Sequence, residues 1–209
     1  MSQTDAKATI LARIGHALRD EPAAPEVPRN YRRTSSLNHD DVVEMLEDRL
    51  TDYKANVYRE TTETLPGRLR ELLGDASTVV PDGVPDTWLP EGIEPVRDVN
   101  DSGSVLSARE LDALGAVVTA STVSCAETGT IFLNSRPDEG RRALSLVPDH
   151  HVCVVPLDTV VELIPEAFER INHADPITMI SGPSATSDIE LERVEGVHGP
   201  RRLDVVLLG

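Results

Sequence analysis

Short runs of almost wholly apolar residues recur along the chain from residue 77 onwards, and they constrain its fold more than any other feature. The runs are STVV (77–80), LGAVVTAS (114–121), GTIFLNS (129–135), HVCVVPL (151–157), ITMIS (177–181) and LDVVLLG (203–209). A strand is continuously apolar when both of its faces are buried, as in a parallel sheet covered by helices. Segments with helical spacing, such as DTVVELIPEAFERINH (158–173), lie between the runs. The alternation predicts an α/β fold with a mostly buried sheet.

The N-terminal segment has a different pattern. Four apolar residues of segment 4–19 are spaced as on one face of a short amphipathic helix: Ile10, Leu11, Ile14 and Leu18. The following DEPAAPEVPRN contains three prolines, which end a helix and extend the backbone. We therefore expect a helical arm and proline-rich linker over residues 1–37 and a domain over 38–209. The arm is expected to dock on a partner or on a second protomer.

The domain begins with a predicted helix, strand and helix. HDDVVEMLEDRLTDYKA (39–55) has helical spacing, with Asp40 or Asp41 as its N-terminal cap. NVYRET (56–61) is typical of a strand, and TLPGRLRELLG (64–74) of a helix that ends at a glycine.

Charge and composition exclude several classes of function. The net charge of −16 argues against binding to nucleic acid, whose phosphates require clustered basic residues. Lys7 and Lys54 are the only lysines, which argues against a catalytic Schiff-base lysine. No stretch approaches the ~20 apolar residues of a membrane span, and the start lacks the pattern of a signal peptide. We expect a cytoplasmic protein.

The motif AETGT (126–130) places Glu127 against a tight turn, directly before an apolar run. The backbone N–H groups around Gly129 and the hydroxyls of Thr128 and Thr130 offer a surface for an anion or an acyl oxygen. Glu127 is then a candidate general base, nucleophile or hydrogen-bond acceptor. Alternatively, Glu127 caps the turn or pairs with an arginine, and the residues alone favour neither interpretation.

The motif SGPSATSDIE (181–190) follows an apolar run, so its polar groups are expected at the C-terminal end of a strand. In open α/β sheets, ligands bind at that end. Ser184 and Thr186 are candidate donors to phosphate, carboxylate or thioester oxygens, and Asp188 is a candidate capping or orienting group. An ordinary serine-rich turn would explain the same residues.

Two histidine motifs complete the set. In PDHHVCVV (148–155), strand alternation puts Asp149, His151 and Cys153 on one face, which supplies too few ligands for a metal without help from elsewhere. We therefore expect no metal site, with His151 hydrogen-bonded at a strand end and Cys153 in the core. In GVHGP (196–200), the glycines around His198 let its imidazole approach a ligand, although a lone histidine in a glycine-rich turn is more often structural than catalytic.

In this order and spacing, AETGT, LSLVPDHHVCVV (144–155), SGPSATSDIE and GVHGP resemble the LUD-domain family, and within it the lactate-utilisation members. The resemblance covers residues 38–209. The pocket that it implies draws on all four motifs. Its candidate catalytic residues are Glu127, His151 and His198, and its candidate ligand-binding residues are Thr128, Gly129, Thr130, Gly182, Ser184, Thr186 and Asp188.

The chain departs from the family pattern at one position in the third motif. The family usually has Ser-Arg-Thr-Ala-Asp, whereas this chain has Ala185 in place of the arginine. The change removes a bidentate donor for a carboxylate or phosphate. Arg136, Arg141 and Arg142 are candidates to replace it.

The resemblance implies a three-layer α/β sandwich with a mostly parallel sheet, similar to the sugar-phosphate isomerase, CoA-transferase and formyltetrahydrofolate cyclo-ligase group. It also implies a place in a bacterial system that oxidises L-lactate to pyruvate, beside partner subunits that carry iron–sulfur clusters. On this basis we expect no cofactor on this chain. Its two cysteines, too few to ligate a cluster by themselves, agree with that expectation.

Three functions follow. The first is a subunit for lactate oxidation, as a monomer or a homo-oligomer, with a pocket for a small anion or acyl group. The second is a stand-alone enzyme acting on an acyl, phosphate or folate-like substrate, with Glu127 as nucleophile or base and His151 or His198 as acid. The third is an interaction module whose motifs only form turns. Glycine and proline make turns without Glu127, His151 or His198, which favours a real pocket.

Overall fold

Six parallel strands form the main sheet of the structure, a computed structural model that describes residues 3–20, 25–98, 104–183 and 199–209. Numbered in chain order with the strands of a second sheet, they are β1 (Asn56–Glu60), β2 (Thr78–Val80), β3 (Val96–Arg97), β4 (Ala116–Thr119), β7 (His150–Pro156) and β10 (Arg202–Leu208). Their order across the sheet is β1-β10-β7-β4-β2-β3, and each neighbouring pair is parallel. The last strand along the chain, β10, therefore lies inside the sheet, between β1 and β7.

Helices cover both faces of this sheet. The four helices that follow the N-terminal arm are α2 (His39–Asp52), α3 (Leu65–Leu73), α4 (Ala108–Asp112) and α5 (Ile164–Arg170). Leu46 of α2 is fully buried in one core cluster with Val155 and Val205 of the sheet. Leu69 of α3 is fully buried in another cluster with Val152, whose side chain points to the opposite face of β7. The three layers confirm the predicted α/β sandwich with a mostly parallel sheet.

A second, smaller sheet was not expected from the sequence. Its strands are β5 (Val123–Cys125), β6 (Thr130–Leu133), β8 (Val160–Val161) and β9 (Thr178–Ile180). Their order is β8-β5-β6-β9, with β6 antiparallel to both of its neighbours. Ile131 and Leu133 of β6 share the core cluster of Leu46, so α2 packs between the two sheets, while Phe132 packs with Ala167 of α5. The SGPSATSDIE motif therefore follows the C-terminal end of a strand, as predicted, but that strand, β9, belongs to the second sheet and not to the parallel one.

Two local predictions are corrected by the structure. The N-terminal cap of α2 is Asn38, whose side-chain oxygen accepts a hydrogen bond from the Asp41 backbone N–H at 2.9 Å, and not Asp40 or Asp41. Segment 158–173 is not one helix, because Val160 pairs with Ser124 as part of β8 and the helix begins only at Ile164. Pro165 fits the first turn of that helix, where no intrahelical N–H is needed.

Contacts within the chain divide it into residues 1–31 and residues 32–209. The first part contains α1 (Gln3–Ala17), the predicted amphipathic helix, with its apolar side chains exposed at Ile10, Leu11 and Ile14. The predicted boundary after residue 37 lies slightly further along the chain, and the domain assignment stays a prediction. None of the described helices is long and apolar enough to cross a membrane.

Candidate functional site

Two of the predicted motif loops meet at Tyr53, the residue that follows α2. Gly129 and Gly182 both have left-handed backbone conformations, with φ of +59° and +83°. A Cβ atom on Gly129 would lie 2.8 Å from Cβ of Arg49, and one on Gly182 would lie 2.8 Å from the carbonyl oxygen of Tyr53. The left-handed backbone and the lack of space for a Cβ atom together require glycine at both positions. The AETGT and SGP turns are therefore packed closely against the end of α2.

A chain of three hydroxyls joins the same two turns. Thr128 Oγ1 lies 2.8 Å from Thr130 Oγ1, which lies 2.9 Å from Ser181 Oγ. Each hydroxyl has one O–H to donate, and the two bonds within the chain use two of the three. The third is left for the carbonyl oxygen of Thr128, at 3.4 Å from Thr130 Oγ1, or for a ligand. Thr130 itself is buried, and the Gly129 N–H donates to the Ala126 carbonyl oxygen at 3.2 Å, so the ligand-binding role of this turn stays a prediction.

Ser181 and Gly182 also border a small cavity of about 180 Å³. Gly199 and Pro200, from the end of the GVHGP motif, form another part of its wall. Arg142 borders it as well, and its guanidinium has no hydrogen-bond or ion-pair partner among the described residues. The rest of the wall comes from Ser145, Leu146, Ile177, Thr178, Met179 and Ile180. A site of this size suits a small metabolite, since pockets for drug-sized ligands span roughly 300–1,000 Å³.

Glu127 lies on the surface beside this site and is paired with an arginine. Arg32 binds its carboxylate and also donates to Glu162 at 3.1 Å. Ser35 Oγ donates to Glu162 at 2.6 Å, so the segment that carries Arg32 is tied down at a second point. Of the two interpretations left open for Glu127, pairing with an arginine is the one that the structure shows. Its catalytic role stays a prediction.

His151 is fully buried in β7, away from solvent. Its Nε2 lies 2.8 Å from Thr119 Oγ1, and its Nδ1 has no partner in the described part of the chain. Burial, with the nearby charge of His150, lowers the pKa of His151 to about 3. The imidazole is therefore neutral at neutral pH, and its predicted role as an acid stays untested.

Cys153 and Asp149, the other two residues predicted for this strand face, have different surroundings. Cys153 lies on the same face as His151 and is fully buried, as expected, and burial raises the pKa of its thiol to about 12. Asp149 precedes the strand, is exposed, and lies 3.5 Å from Arg201. Over residues 3–20, 25–98, 104–183 and 199–209, no group of three His, Cys, Asp or Glu side chains is close enough to hold a metal ion.

Four predicted site residues cannot be placed. Ser184, Thr186, Asp188 and His198 lie outside the described residues, as does Ala185.

The three candidate arginines differ in their availability. Arg141 is held by Asp98 through two hydrogen bonds of 2.7 and 2.9 Å, and that hydrogen bonding raises its pKa. Arg136 is exposed and lies 3.6 Å from a partly buried Asp138, a long ion pair. Arg142 alone of the three borders the small cavity, so it is the best placed to supply the positive charge that Ala185 does not.

Sequence reasoning missed a buried carboxyl, Glu139, which is 1% exposed. It accepts hydrogen bonds from Thr122 Oγ1 at 2.5 Å and from the backbone N–H groups of Asn134 and Arg136 at 2.5 and 3.1 Å. Burial raises its pKa, partly offset by these bonds. Glu139 thereby holds the turn that presents Arg136. The letters NSRPDEG are those of an ordinary surface loop, and nothing in them signals a buried acid.

Known proteins resemble this chain over most of its length. Residues 43–208 match the family model of the LUD domain. A Deinococcus radiodurans protein named "Lactate utilization protein C" is 43% identical, over 100% of this chain and 98% of its own. The Escherichia coli protein YkgG, described as uncharacterized, is 28% identical over 90% of this chain and 89% of its own. The crystal structure of a DUF162 family protein from Deinococcus radiodurans matches with a TM-score of 0.72 and 40% identity, over 83% of this chain and 99% of that one.

Proposed function

The chain belongs to the LUD domain family, and on that premise we propose that it is a subunit of a bacterial system that oxidises L-lactate to pyruvate. The name of its Deinococcus relative, which matches along its whole length, supports a role in lactate utilisation. In this proposal the subunit works in the cytoplasm, and partner proteins carry the iron–sulfur clusters. Both cysteines of the chain, Cys125 and Cys153, are buried in strands, which agrees with clusters on the partners. The exposed apolar face of α1 is the proposed contact with a partner or a second protomer.

The observation that best supports a ligand site is that the three linked hydroxyls and Arg142 reach the wall of one cavity. Ser181 is the last of the three linked hydroxyls and borders the same cavity as Arg142, whose guanidinium has no partner in the part of the protein that the structure describes. A guanidinium binds a carboxylate through two parallel hydrogen bonds, and a hydroxyl can donate a further one. We propose a small organic anion as the ligand, with Arg142 holding its carboxylate.

The alternative function, a stand-alone enzyme on an acyl, phosphate or folate-like substrate, has less support. It requires a free carboxylate at Glu127, but Arg32 binds that carboxylate. It also requires an acid, but His151 is buried and neutral. His198 would remain as the candidate acid.

Deletion of the gene and complementation tests the role. We expect the deletion strain to lose growth on L-lactate as the sole carbon source while it grows normally on pyruvate, and the wild-type gene to restore growth. Arg142→Ala and Ser181→Ala should restore it poorly, whereas Arg59→Ala, which removes a surface arginine paired with Glu47, should restore it fully. Normal growth of the deletion strain on L-lactate would contradict the proposal. Equal complementation by all three variants would refute the ligand site alone.

A further inference from the structure

A larger cavity borders the segment that connects β6 to β7 and carries Arg142. It lies near a place where the strand order of the main sheet reverses. From β2 the chain leads outward to β3 at the edge of the sheet, and from there it returns to β4 on the other side of β2. Connections that leave neighbouring strands in opposite directions open a crevice at their C-terminal ends, where open α/β sheets bind ligands. The crevice in this sheet lies beyond β2 and β4.

The segment that connects β6 to β7 spans that crevice. At the end of β4, the Ala120 backbone N–H donates to the carbonyl oxygen of Asp138 at 2.9 Å. Beyond β2, the Gly83 N–H donates to the carbonyl oxygen of Pro137, also at 2.9 Å. These bonds hold the segment over the strand ends without filling the space beneath it. A cavity of about 500 Å³ remains, bordered by Pro81 and Asp82 after β2.

The wall of this cavity combines apolar and cationic residues. Its apolar members are Pro81, Val105, Pro137, Leu144 and Pro176. Three arginines and two aspartates also border it: Arg136, Arg141, Arg142, Asp82 and Asp98. The wall is therefore net positive in a chain whose net charge is −16.

Arg136 and Arg142 are held less firmly than Arg141. Arg141 is committed to Asp98 by two hydrogen bonds, and that pair contributes no net charge. Arg136 is held only by the 3.6 Å contact with Asp138, and the Arg142 guanidinium has no partner within the described ranges. Arginine is suited to carboxylate, sulfonate and phosphate groups because its planar fork donates two parallel hydrogen bonds.

We propose that this cavity is a second ligand site, which binds an organic anion with an apolar body and a single charged end. The proline, valine and leucine side chains contact the body, and Arg136 holds the anionic group, with Arg142, which borders both cavities, beside it. The volume, about 500 Å³, lies within the range of sites for small organic ligands. Arg136 borders this cavity and not the smaller one, which allows the two sites to be tested separately.

Two fluorescent probes separate recognition of charge from recognition of the apolar body. 1-Anilinonaphthalene-8-sulfonate carries a sulfonate, and N-phenyl-1-naphthylamine has the same aromatic body without a charge. Both brighten in an apolar site. Titrations would use the full chain and its Arg136→Ala, Arg142→Ala and Val105→Trp variants. Arg59→Ala is the matched control, because its side chain is 51% exposed against 55% for Arg136 and it also takes part in a surface ion pair.

Arg136→Ala should weaken binding of the sulfonate by about tenfold, as expected for the loss of one charge-assisted hydrogen bond, and leave binding of the neutral probe unchanged. Arg142→Ala should act in the same way, Arg59→Ala should change neither probe, and Val105→Trp should abolish both by filling the cavity. Far-UV circular dichroism checks that each variant is folded, since the sulfonate also binds partly folded chains. If Val105→Trp does not fold, the arginine variants decide the question.

Sulfonate binding that is the same in Arg136→Ala and wild type would overturn the proposal. An equal loss in Arg59→Ala would also overturn it, because the effect would then reflect overall charge. Neither result bears on growth on L-lactate, so a failure of this site is distinguishable from a failure of the proposed function.

Discussion

Replacing Glu139 by alanine and by glutamine should have very different effects on stability. Alanine leaves two buried donors, the backbone N–H of Asn134 and the hydroxyl of Thr122, without their acceptor. An unsatisfied buried donor costs about 1–3 kcal/mol, so the two together predict a loss of about 2–6 kcal/mol. That is a large part of the ~5–15 kcal/mol that stabilises a typical folded protein.

Glutamine preserves the same contacts. Its amide oxygen can accept both backbone bonds, and its amide nitrogen can donate to the Thr122 hydroxyl, which can act as an acceptor. It has almost the same volume as glutamate, so no cavity opens. We expect Glu139→Gln to change the free energy of unfolding by less than about 1 kcal/mol at neutral pH.

The dependence on pH gives a second test of the same residue. Because burial raises the pKa of Glu139 above its ordinary value of 4.5, the folded protein keeps this proton over a range in which the unfolded chain has lost it. The contribution of Glu139 to stability is therefore greatest below the unfolded pKa and decreases as pH rises through the folded one. Glutamine does not titrate, so Glu139→Gln should gain stability relative to wild type as pH rises through that range.

Urea unfolding followed by far-UV circular dichroism measures each of these differences. Glu169→Gln, at an exposed position of α5, is the control and should change stability by less than about 0.5 kcal/mol. Equal losses for Glu139→Ala and Glu139→Gln would refute the reasoning, since the hydrogen bonds would not then explain why an acid is buried there.

The same assay checks two further predictions. Gly182→Ala should destabilise the protein by at least about 1–2 kcal/mol because of its left-handed backbone alone. The loss should be larger still because the new Cβ would lie 2.8 Å from the Tyr53 carbonyl oxygen. Gly67→Ala, in α3 with no atom within 4 Å of the new Cβ, should instead stabilise the protein by about 0.5–1 kcal/mol. Burial raises the pKa of Asp204, but hydrogen bonds and charge from His150 and other partners lower it further, to below its ordinary 3.8. Its contribution to stability is lost as pH falls through the folded value, so Asp204→Asn should flatten the acid limb of a plot of unfolding free energy against pH; an unchanged limb would contradict this.

The apolar runs predicted where strands form but not which sheet each strand joins. Ile131 and Leu133 face α2, and Phe132 faces α5, so β6 is buried on both faces just as a central parallel strand is. A run with two buried faces is the same in either setting. Only the pairing of β6 with β5 and β9 distinguishes them, and pairing depends on partners distant in sequence.

In the candidate site, too, local features could be predicted from the sequence, whereas contacts between distant residues could not. The Thr128–Gly129–Thr130 turn and Gly182 are local features, and the structure brings them together on Tyr53 as neighbours. The partner of Glu127 is Arg32, 95 residues away, in a linker whose prolines indicate only an extended backbone. No local pattern could have chosen between a free carboxylate and a paired one.

The position of β10 inside the main sheet affects how the chain folds as it is synthesised. Asn56 of β1 is hydrogen-bonded to Asp204 of β10, a separation of 148 residues. At about 5–20 residues per second, a ribosome needs roughly 7–30 s to make the intervening chain. Throughout that time β1 has no strand to pair with, and the apolar face of α2 lacks the β10 residues that cover it. The sheet therefore cannot close until β10 has been synthesised.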